Sequence, residues 1–528
     1  MLTLQHLSYV HPNKNLLFNN ISLNINKNSK VAVIGNNGSG KSTLLKIIAG
    51  ELLPSSGQLT IDATPYYIPQ IFGQFNDLTI AQALGIATKL NALQEILNGN
   101  VTENNLHLLD DDWTVEERCH AALNHWQLTN LDLTQKMETL SGGQKTKVFL
   151  AGISIHLPTF ILLDEPSNHL DRAGRELLHH FIQSTSSTLV VVSHDRELLN
   201  LLNTVCELGK HGLTVYGGNY DFYTKQKQLE NDALSQQLSS KEKALWKAKE
   251  KERETLERQQ KLDARGKKKQ EKAGVATIML NTLRNNAERS TSKIKNVHAE
   301  KIGGIAHELQ ELRKELPAID KMKFGFEDTA LHRGKILFKA TGINFAYGNK
   351  FLWEDLPNFQ ITSGERIALK GLNGSGKTTL IKIILRELVP ASGTVYRAAN
   401  KPVYIDQDYS MIDNKLKVYE QAMQFNNAAL QEHEIKIRLS RFLFTKEDWD
   451  KPCHALSGGE RMRLMLCCLT IGAQSHDMII LDEPTNNLDL LNIDILTAAI
   501  SEYQGTLVVV CHDEYFLKQI NIERTIYL

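Results

Sequence analysis

The sequence predicts an α/β protein: two domains of parallel strands and helices in tandem, joined by a basic α-helical hairpin. Three observations carry that prediction. One ordered set of motifs occurs twice along 528 residues, its strand-like runs are rich in Val, Ile and Leu without alternation, and the composition between the copies shifts abruptly to lysine and arginine. Unalternated aliphatic runs mark strands covered on both faces, hence a parallel sheet flanked by helices.

Taken in order, MLTLQHLSYV reads as an amphipathic strand and lacks the basic start and long apolar core of a signal peptide. KVAVIG (Lys30–Gly35) is a buried strand that runs into GNNGSGKST, and STLLKIIAG is a helix. A GxxxxGK[ST] loop between strand and helix turns backbone N–H groups toward phosphates. The second copy is GLNGSGKTT. The chemistry is that of ATP. The cradle is then Gly35, Asn36, Asn37, Gly38, Ser39, Gly40, Lys41, Ser42 and Thr43 in one copy. In the other it is Gly371, Leu372, Asn373, Gly374, Ser375, Gly376, Lys377, Thr378 and Thr379. Lys41 and Lys377 bring point charge to the phosphates, and Ser42 and Thr378 offer hydroxyls to Mg²⁺. ILLDEP (Ile161–Pro166) is answered by IILDEP (Ile479–Pro484). Asp164 and Asp482 would hold the Mg²⁺ shell, and Glu165 and Glu483, one residue on, would orient or deprotonate the attacking water.

The spacing between copies separates a fixed core from a variable piece. Lys41 to Lys377 is 336 residues and Gln70 to Gln407 is 337, but Ser141 to Ser457 is 316 and both Asp164 to Asp482 and His194 to His512 are 318. The second copy therefore lacks roughly 20 residues between Gln407 and its LSGGE, where the first carries a polar segment, Asn98–Asp112, and a helical patch, Val115–Leu128.

Between the copies, Lys241 to Lys301 holds 18 Lys/Arg against 9 Asp/Glu. The stretch beginning KEKALWKAKEKERETLERQQ predicts a long helix, about 40 residues and roughly 60 Å. A second helix is expected from about Asn281 to Leu316, with Leu309, Leu312 and Leu316 on one face and Pro317 as its stop, the turn falling near Arg265–Met279. RNA binding is dominated by phosphate neutralisation. Candidate contacts are Arg265, Lys267, Lys268, Lys269 and Lys272 at the turn, with Arg284, Arg289, Lys293 and Lys295 on the returning helix. A solvated tether is the plainer reading of such charge. The VATIML patch is expected to pack the turn. The whole chain is neutral, 60 basic against 60 acidic residues, and no apolar run approaches the ~20 residues of a membrane span. Six scattered cysteines without a CxxC pair suit reduced core positions and a cytoplasmic protein.

The order of P-loop, Gln70, LSGGQ (Leu140–Gln144), LLDEP and His194, repeated as Gln407, LSGGE (Leu456–Glu460), LDEP and His512, resembles the ATP-binding cassette (ABC) ATPases over nearly all of both halves. The resemblance implies ABC-type nucleotide-binding domains at residues 1–224 and 333–528, with the linker at 225–332. It implies composite sites, Ser457 and Gly459 serving the site of Lys41, and Ser141 and Gly143 that of Lys377. Gln70 and Gln407 would sense Mg²⁺ and water, His194 and His512 would complete each site, and His11 (or Tyr9) and Tyr347 would stack on adenine. Two fused cassettes with a basic hairpin and no membrane domain resemble the ABC-F class; ARGKKKQEKAGVATIML, NAERS and YGGNYDFY are similar to its linker and boundary. That implies a monomer with intramolecular cassette pairing that binds ribosomes when closed on ATP. Its linker would lie near large-subunit rRNA and tRNA, in a translation factor or an antibiotic-resistance protein. The alternatives are a DNA-associated ATPase, whose relatives tend to carry a C-terminal coiled coil, and the energy subunit of a transporter.

Overall fold

The structure, a computed structural model, describes the backbone at all residues except 13, 130, 210–211, 273–276, 316–331, 349, 373, 400–401, 473–475 and 487. Within the linker helices it leaves aside the side chains of 263, 266–272, 277–291, 294–295 and 314–315. Two compact units result, Met1–Tyr223 with Met322–Leu528, and Thr224–Lys321.

In the first cassette six strands lie in the order Tyr66–Ile68, Phe160–Asp164, Thr188–Val192, Lys30–Ile34, Thr204–Gly209, Gly212–Tyr216. All pairings are parallel except the last, a hairpin. The aliphatic runs explain themselves: successive side chains enter different cores. Ala32, Ile34, Ile161, Leu163, Leu189 and Val191 join a helical core with Leu150 and Leu178. Val31, Val33, Phe160, Leu162, Val190 and Val192 join another with Leu4, Ile21 and Leu44. That second core packs the helix Lys41–Ile48 and an antiparallel sheet ordered Leu16–Ile25, Leu2–Val10, Ser56–Ile61 onto the same strands.

The second cassette repeats the plan with a five-stranded sheet ordered Pro402–Ile405, Met478–Asp482, Thr506–Val510, Arg366–Lys370, Arg524–Tyr527. Its antiparallel sheet is ordered Phe359–Thr362, Ile336–Asn344, Ser392–Arg397. In both cassettes the P-loop, the glutamine, the LDEP motif and the histidine follow the carboxyl ends of neighbouring parallel strands, the usual ligand edge of such sheets.

One element went unread, and two expected helix bounds shift. The polar stretch Asn98–Asp112 contains a helix, Glu103–Leu109, started by Thr102, whose Oγ1 accepts from the Asn105 N–H at 3.2 Å. The second cassette has Val418–Gln424 and Glu432–Arg441 in the corresponding region. The first linker helix is also longer than 40 residues. It runs Tyr220–Lys272, 53 residues and so about 80 Å, because nothing between Tyr220 and Gly266 breaks it and one glycine is tolerated.

The second linker helix, Thr277–Glu315, begins earlier than Asn281. The two helices of this unit are joined by Lys241–Glu308 and Arg313–Glu242 ion pairs, the latter at 2.6 Å. Leu309 is buried and Leu312 half-buried, as one face requires; Leu316 lies outside the described residues. All six cysteines are free and buried. Among the described residues no helix is long and apolar enough to cross a membrane.

Candidate functional site

Each P-loop is shaped by glycines that no other residue could replace. A Cβ on Gly35 would fall 2.4 Å from the Leu208 carbonyl oxygen, and Gly40 starts its helix at φ 97° against Leu17. The loop lysines fold back on their own carbonyls. Lys41 Nζ donates to Gly35 O at 2.7 Å and Asn36 O at 3.2 Å, and Lys377 Nζ to Gly371 O at 2.9 Å and Leu372 O at 3.0 Å. Burial lowers the pKa of both lysines. Asn373 lies outside the described residues.

The hydroxyl and carboxylate predicted for Mg²⁺ meet in both copies. Ser42 hydrogen-bonds Asp164, and Thr378 Oγ1 donates to Asp482 Oδ2 at 3.4 Å. Burial raises both aspartates above the usual carboxylate range. Glu165 and Glu483 have φ of 51° and 48°, the left-handed region, at a cost of about 1–3 kcal/mol each. The neighbouring strand holds them there: their N–H groups donate to Val192 O and Val510 O, each at 2.8 Å.

That turn faces each glutamate toward its histidine. Glu165 Oε1 lies 3.3 Å from His194 Nε2, and Glu483 Oε1 lies 3.3 Å from His512 Nε2. Burial pushes Glu165 up to about 8 and Glu483 to about 7, while the same loss of water holds His194 down at about 3 and His512 at about 4. Each histidine is thus a neutral imidazole beside a carboxyl, suited to orienting groups rather than to carrying charge.

A cavity of about 410 Å³ opens over the first P-loop. It is lined by His11, Lys41, Ser42, Thr43, Gln70, Glu165 and His194 from one cassette and by Thr485, Asn486, Leu488, Ile493 and Asp513 from the other. The residues fit ATP with a divalent cation. The size suits a ligand of that class, and Ser39 Oγ, Asp164 Oδ1 and Ser375 Oγ are buried without a hydrogen-bond partner. His11 faces the cavity, whereas Tyr9 packs against Phe18, 6.2 Å between ring centroids. Tyr347 is exposed, with its hydroxyl 3.1 Å from Thr379 Oγ1. Gln70 is half-buried in the cavity wall; Gln407 is exposed on a turn.

The LSGG serines sit at helix starts in reciprocal caps, Ser141 with Gln144 and Ser457 with Glu460. Ser457 and Gly459 are not in the cavity wall. Gly459 packs on Asn492, whose Nδ2 donates to Asp489 Oδ1 at 2.7 Å, and Asp489 Oδ2 accepts from the Asn37 N–H at 2.7 Å. The second cassette therefore reaches the first P-loop through the loop after its LDEP motif.

The ABC transporter family model matches residues 18–168 and 355–486, one cassette each. The putative ATP-binding protein YdiF of Bacillus subtilis is 31% identical over 96% of this chain and 76% of its own length. ABC transporter F family member 5 of Arabidopsis thaliana is 28% identical over 95% of this chain and 71% of its own. This chain belongs to the ABC family, in its F class. Its fold is also that of a solved RNase-L inhibitor, TM-score 0.61 at 20% identity over 98% of this chain and 87% of the other. The same holds for archaeal ribosome recycling factor aABCE1, solved with ribosomal stalk protein aP1, TM-score 0.58 at 19% identity over 99% and 87%. ABC domains bind ATP, typically with Mg²⁺, and are generally ATPases.

Two elements of this ABC-F chain went unread in the sequence. Tyr67 and Tyr404, three residues before each glutamine, donate to Asp164 Oδ2 at 3.3 Å and Asp482 Oδ2 at 2.9 Å. The loops SNHLD (Ser167–Asp171) and TNNLD (Thr485–Asp489) follow each LDEP directly and keep the 318-residue spacing, a repeat that could have flagged them. Of the predicted RNA contacts, Arg265 and Lys293 are exposed, whereas the side chains of Lys267, Lys268, Lys269, Lys272, Arg284, Arg289 and Lys295 lie outside the described ones.

Proposed function

We propose that this protein hydrolyses ATP at two composite sites, binds the ribosome in its ATP-closed state, and acts on translation as a translation factor or a drug-protection protein. The observation that carries the reading is the paired geometry: two strained glutamates, each 3.3 Å from a neutral histidine, the first pair in a cavity walled by both cassettes. Lys41 and Lys377 would turn from their loop carbonyls onto the phosphates. Ser42, Gln70 and Asp164, with Thr378, Gln407 and Asp482, would hold Mg²⁺, which spreads the charge of the β- and γ-phosphates. Glu165 and Glu483 would orient the attacking water and take its proton, with His194 and His512 fixing their carboxyl groups.

Closure would bring Ser457 and Gly459 to the first site and Ser141 and Gly143 to the second, each at a helix start that favours an anion. The basic linker, with Lys267–Lys269 near the end of its first helix, would supply the phosphate-neutralising charge for rRNA and tRNA. An archaeal ribosome recycling factor of the same fold adds support. The working compartment is then the cytoplasm, and the working form a monomer.

The test is ATP-dependent co-sedimentation of the Glu165→Gln, Glu483→Gln double variant with ribosomes. The expected result is pelleting with ATP only, lost when Lys267–Lys269 are neutralised. A protein that binds ATP yet stays in the supernatant would overturn the ribosomal reading.

A further inference from the structure

Two residues after His194, Arg196 begins a short helix, Arg196–Leu199, and its side chain crosses to the second cassette. Nη1 donates to Gln519 Oε1 at 3.0 Å, Nη2 donates to Asp494, and the guanidinium lies 4.6 Å from the centre of the Tyr515 ring. Asp494 belongs to the helix Leu490–Glu502, and Tyr515 and Gln519 to the helix Glu514–Gln519 that follows His512. Only 4% of the arginine side chain is exposed. A cation so far from water is held there because it is paired, hydrogen-bonded and stacked at once.

The same arginine reaches the root of the linker. Tyr220, the first residue of the helix Tyr220–Lys272, is buried and hydrogen-bonds Arg196 through its hydroxyl. Asn200, just past the short helix, grips the next residue: its Oδ1 accepts from the Asp221 N–H at 2.9 Å and its Nδ2 donates to Asp221 Oδ1 at 3.0 Å. Tyr223 packs edge-on against Tyr216, 5.0 Å between ring centroids, and hydrogen-bonds Glu207 on the strand beside Lys30–Ile34. The first turn of the linker helix is thus fastened to the segment that follows His194, and the second cassette holds that segment through Arg196.

No mirror contact is possible. Moving 318 residues along the repeat matches Arg196 to Glu514 and Asp494 to Glu176, two acids that repel. Each turns to its own cassette instead, Glu514 accepting from Lys370 Nζ at 2.5 Å and Glu176 from Arg172 Nε at 3.0 Å. The contact is therefore one-sided, and it lies on the side from which the linker helix starts.

We infer that Arg196 is a joint that couples pairing of the two cassettes to the anchoring of the linker root. Parting the cassettes breaks its bonds to Asp494 and Gln519 and takes from Tyr220 a neighbour held in place by the second cassette. Coupling of this kind needs a continuous chain of contacts, and here it runs Asp494, Arg196, Tyr220. The inference concerns the nucleotide-free interface and needs neither hydrolysis nor the ribosome.

The experiment is amide hydrogen exchange on the full chain without nucleotide. Asp494 lies in the second cassette and its side chain is 43% exposed, so Asp494→Ala empties no core. It should speed exchange at residues 220–227 about ten-fold, as the loss of one charged hydrogen bond allows. Arg196→Ala should do the same, and the double variant should be no faster than Arg196→Ala alone. Unchanged protection of Thr188–Val192 marks the intact fold; should Arg196→Ala unfold the chain, Asp494→Ala carries the test by itself. Faster exchange confined to Leu490–Glu502 in Asp494→Ala would overturn the inference, and so would an equal effect on residues 220–227 from Glu176→Ala.

Discussion

The first and second ATP sites share nearly every motif residue and hydrogen bond, yet differ in how dry and how charged they are. Glu165 is 6% exposed and Glu483 15%; His194 is 12% and His512 18%. Burial leads in both, but Glu483 is also relieved by Arg175 of the other cassette, whereas the cation acting on Glu165 is its own Lys41. A duplicated motif fixes local geometry. The electrostatics of each site depend on what the opposite cassette presents, so duplication does not make the sites equal.

The sharpest way to break that comparison is to remove the glutamates. Glu165→Gln with Glu483→Gln should reduce ATP turnover by about 10²–10⁴-fold, read as phosphate release. Each single variant should keep the turnover of its intact site, so the two residual rates rank the sites.

A smaller effect is expected at the P-loops. Lys41→Ala or Lys377→Ala removes a charged hydrogen bond of about 1.5–3 kcal/mol, so ATP affinity at that site should fall about 10–100-fold in equilibrium titration of each single-site protein.

Next come the LSGG glycines, where the two copies face different neighbours. A Cβ on Gly143 would lie 2.6 Å from the backbone oxygen of His169, and one on Gly459 would lie 2.1 Å from the side-chain amide of Asn492. A side chain can swing away and a backbone carbonyl cannot. Gly143→Ala should therefore cost about 1–3 kcal/mol, seen as a lower urea midpoint, and Gly459→Ala less despite the shorter distance.

The smallest effect concerns the region the cassettes do not share. Asp112 closes the extra helix of the first cassette onto Arg118, 2.8 Å, and Lys89, 3.4 Å. The Arg118 hydrogen bond holds its carboxyl below the usual range. A depressed folded-state pKa means that this stability is present above the unfolded value, near 4, and is lost as pH falls through the folded one. Asp112→Asn should cost about 1 kcal/mol at neutral pH, with the difference from wild type vanishing in acid, followed by thermal unfolding across pH.

Much of the fold was legible because its signals are local. The strand Lys30–Ile34, the helix after Lys41 and the buried runs ending at Asp164 and Val192 follow from residue pattern and glycine placement alone. The helix Glu103–Leu109 escaped detection because its polar sequence hides a single buried leucine, Leu109. Tyr67 and Tyr404 escaped because a tyrosine in a strand reads as packing; only the adjacent strand, paired to theirs, brings Asp164 or Asp482 within reach of the hydroxyl.

By itself the sequence determined that there are two cassettes and that a basic helical pair lies between them in the chain, and it named candidates for phosphate, metal and water, since each depends on contiguous residues or fixed spacing. Only the tertiary structure decided which residues cross from one cassette to the other. Asn37 with Asp489 and the wall of the first cavity join residues about 300 positions or more apart, and such pairing is set by how two folded surfaces fit.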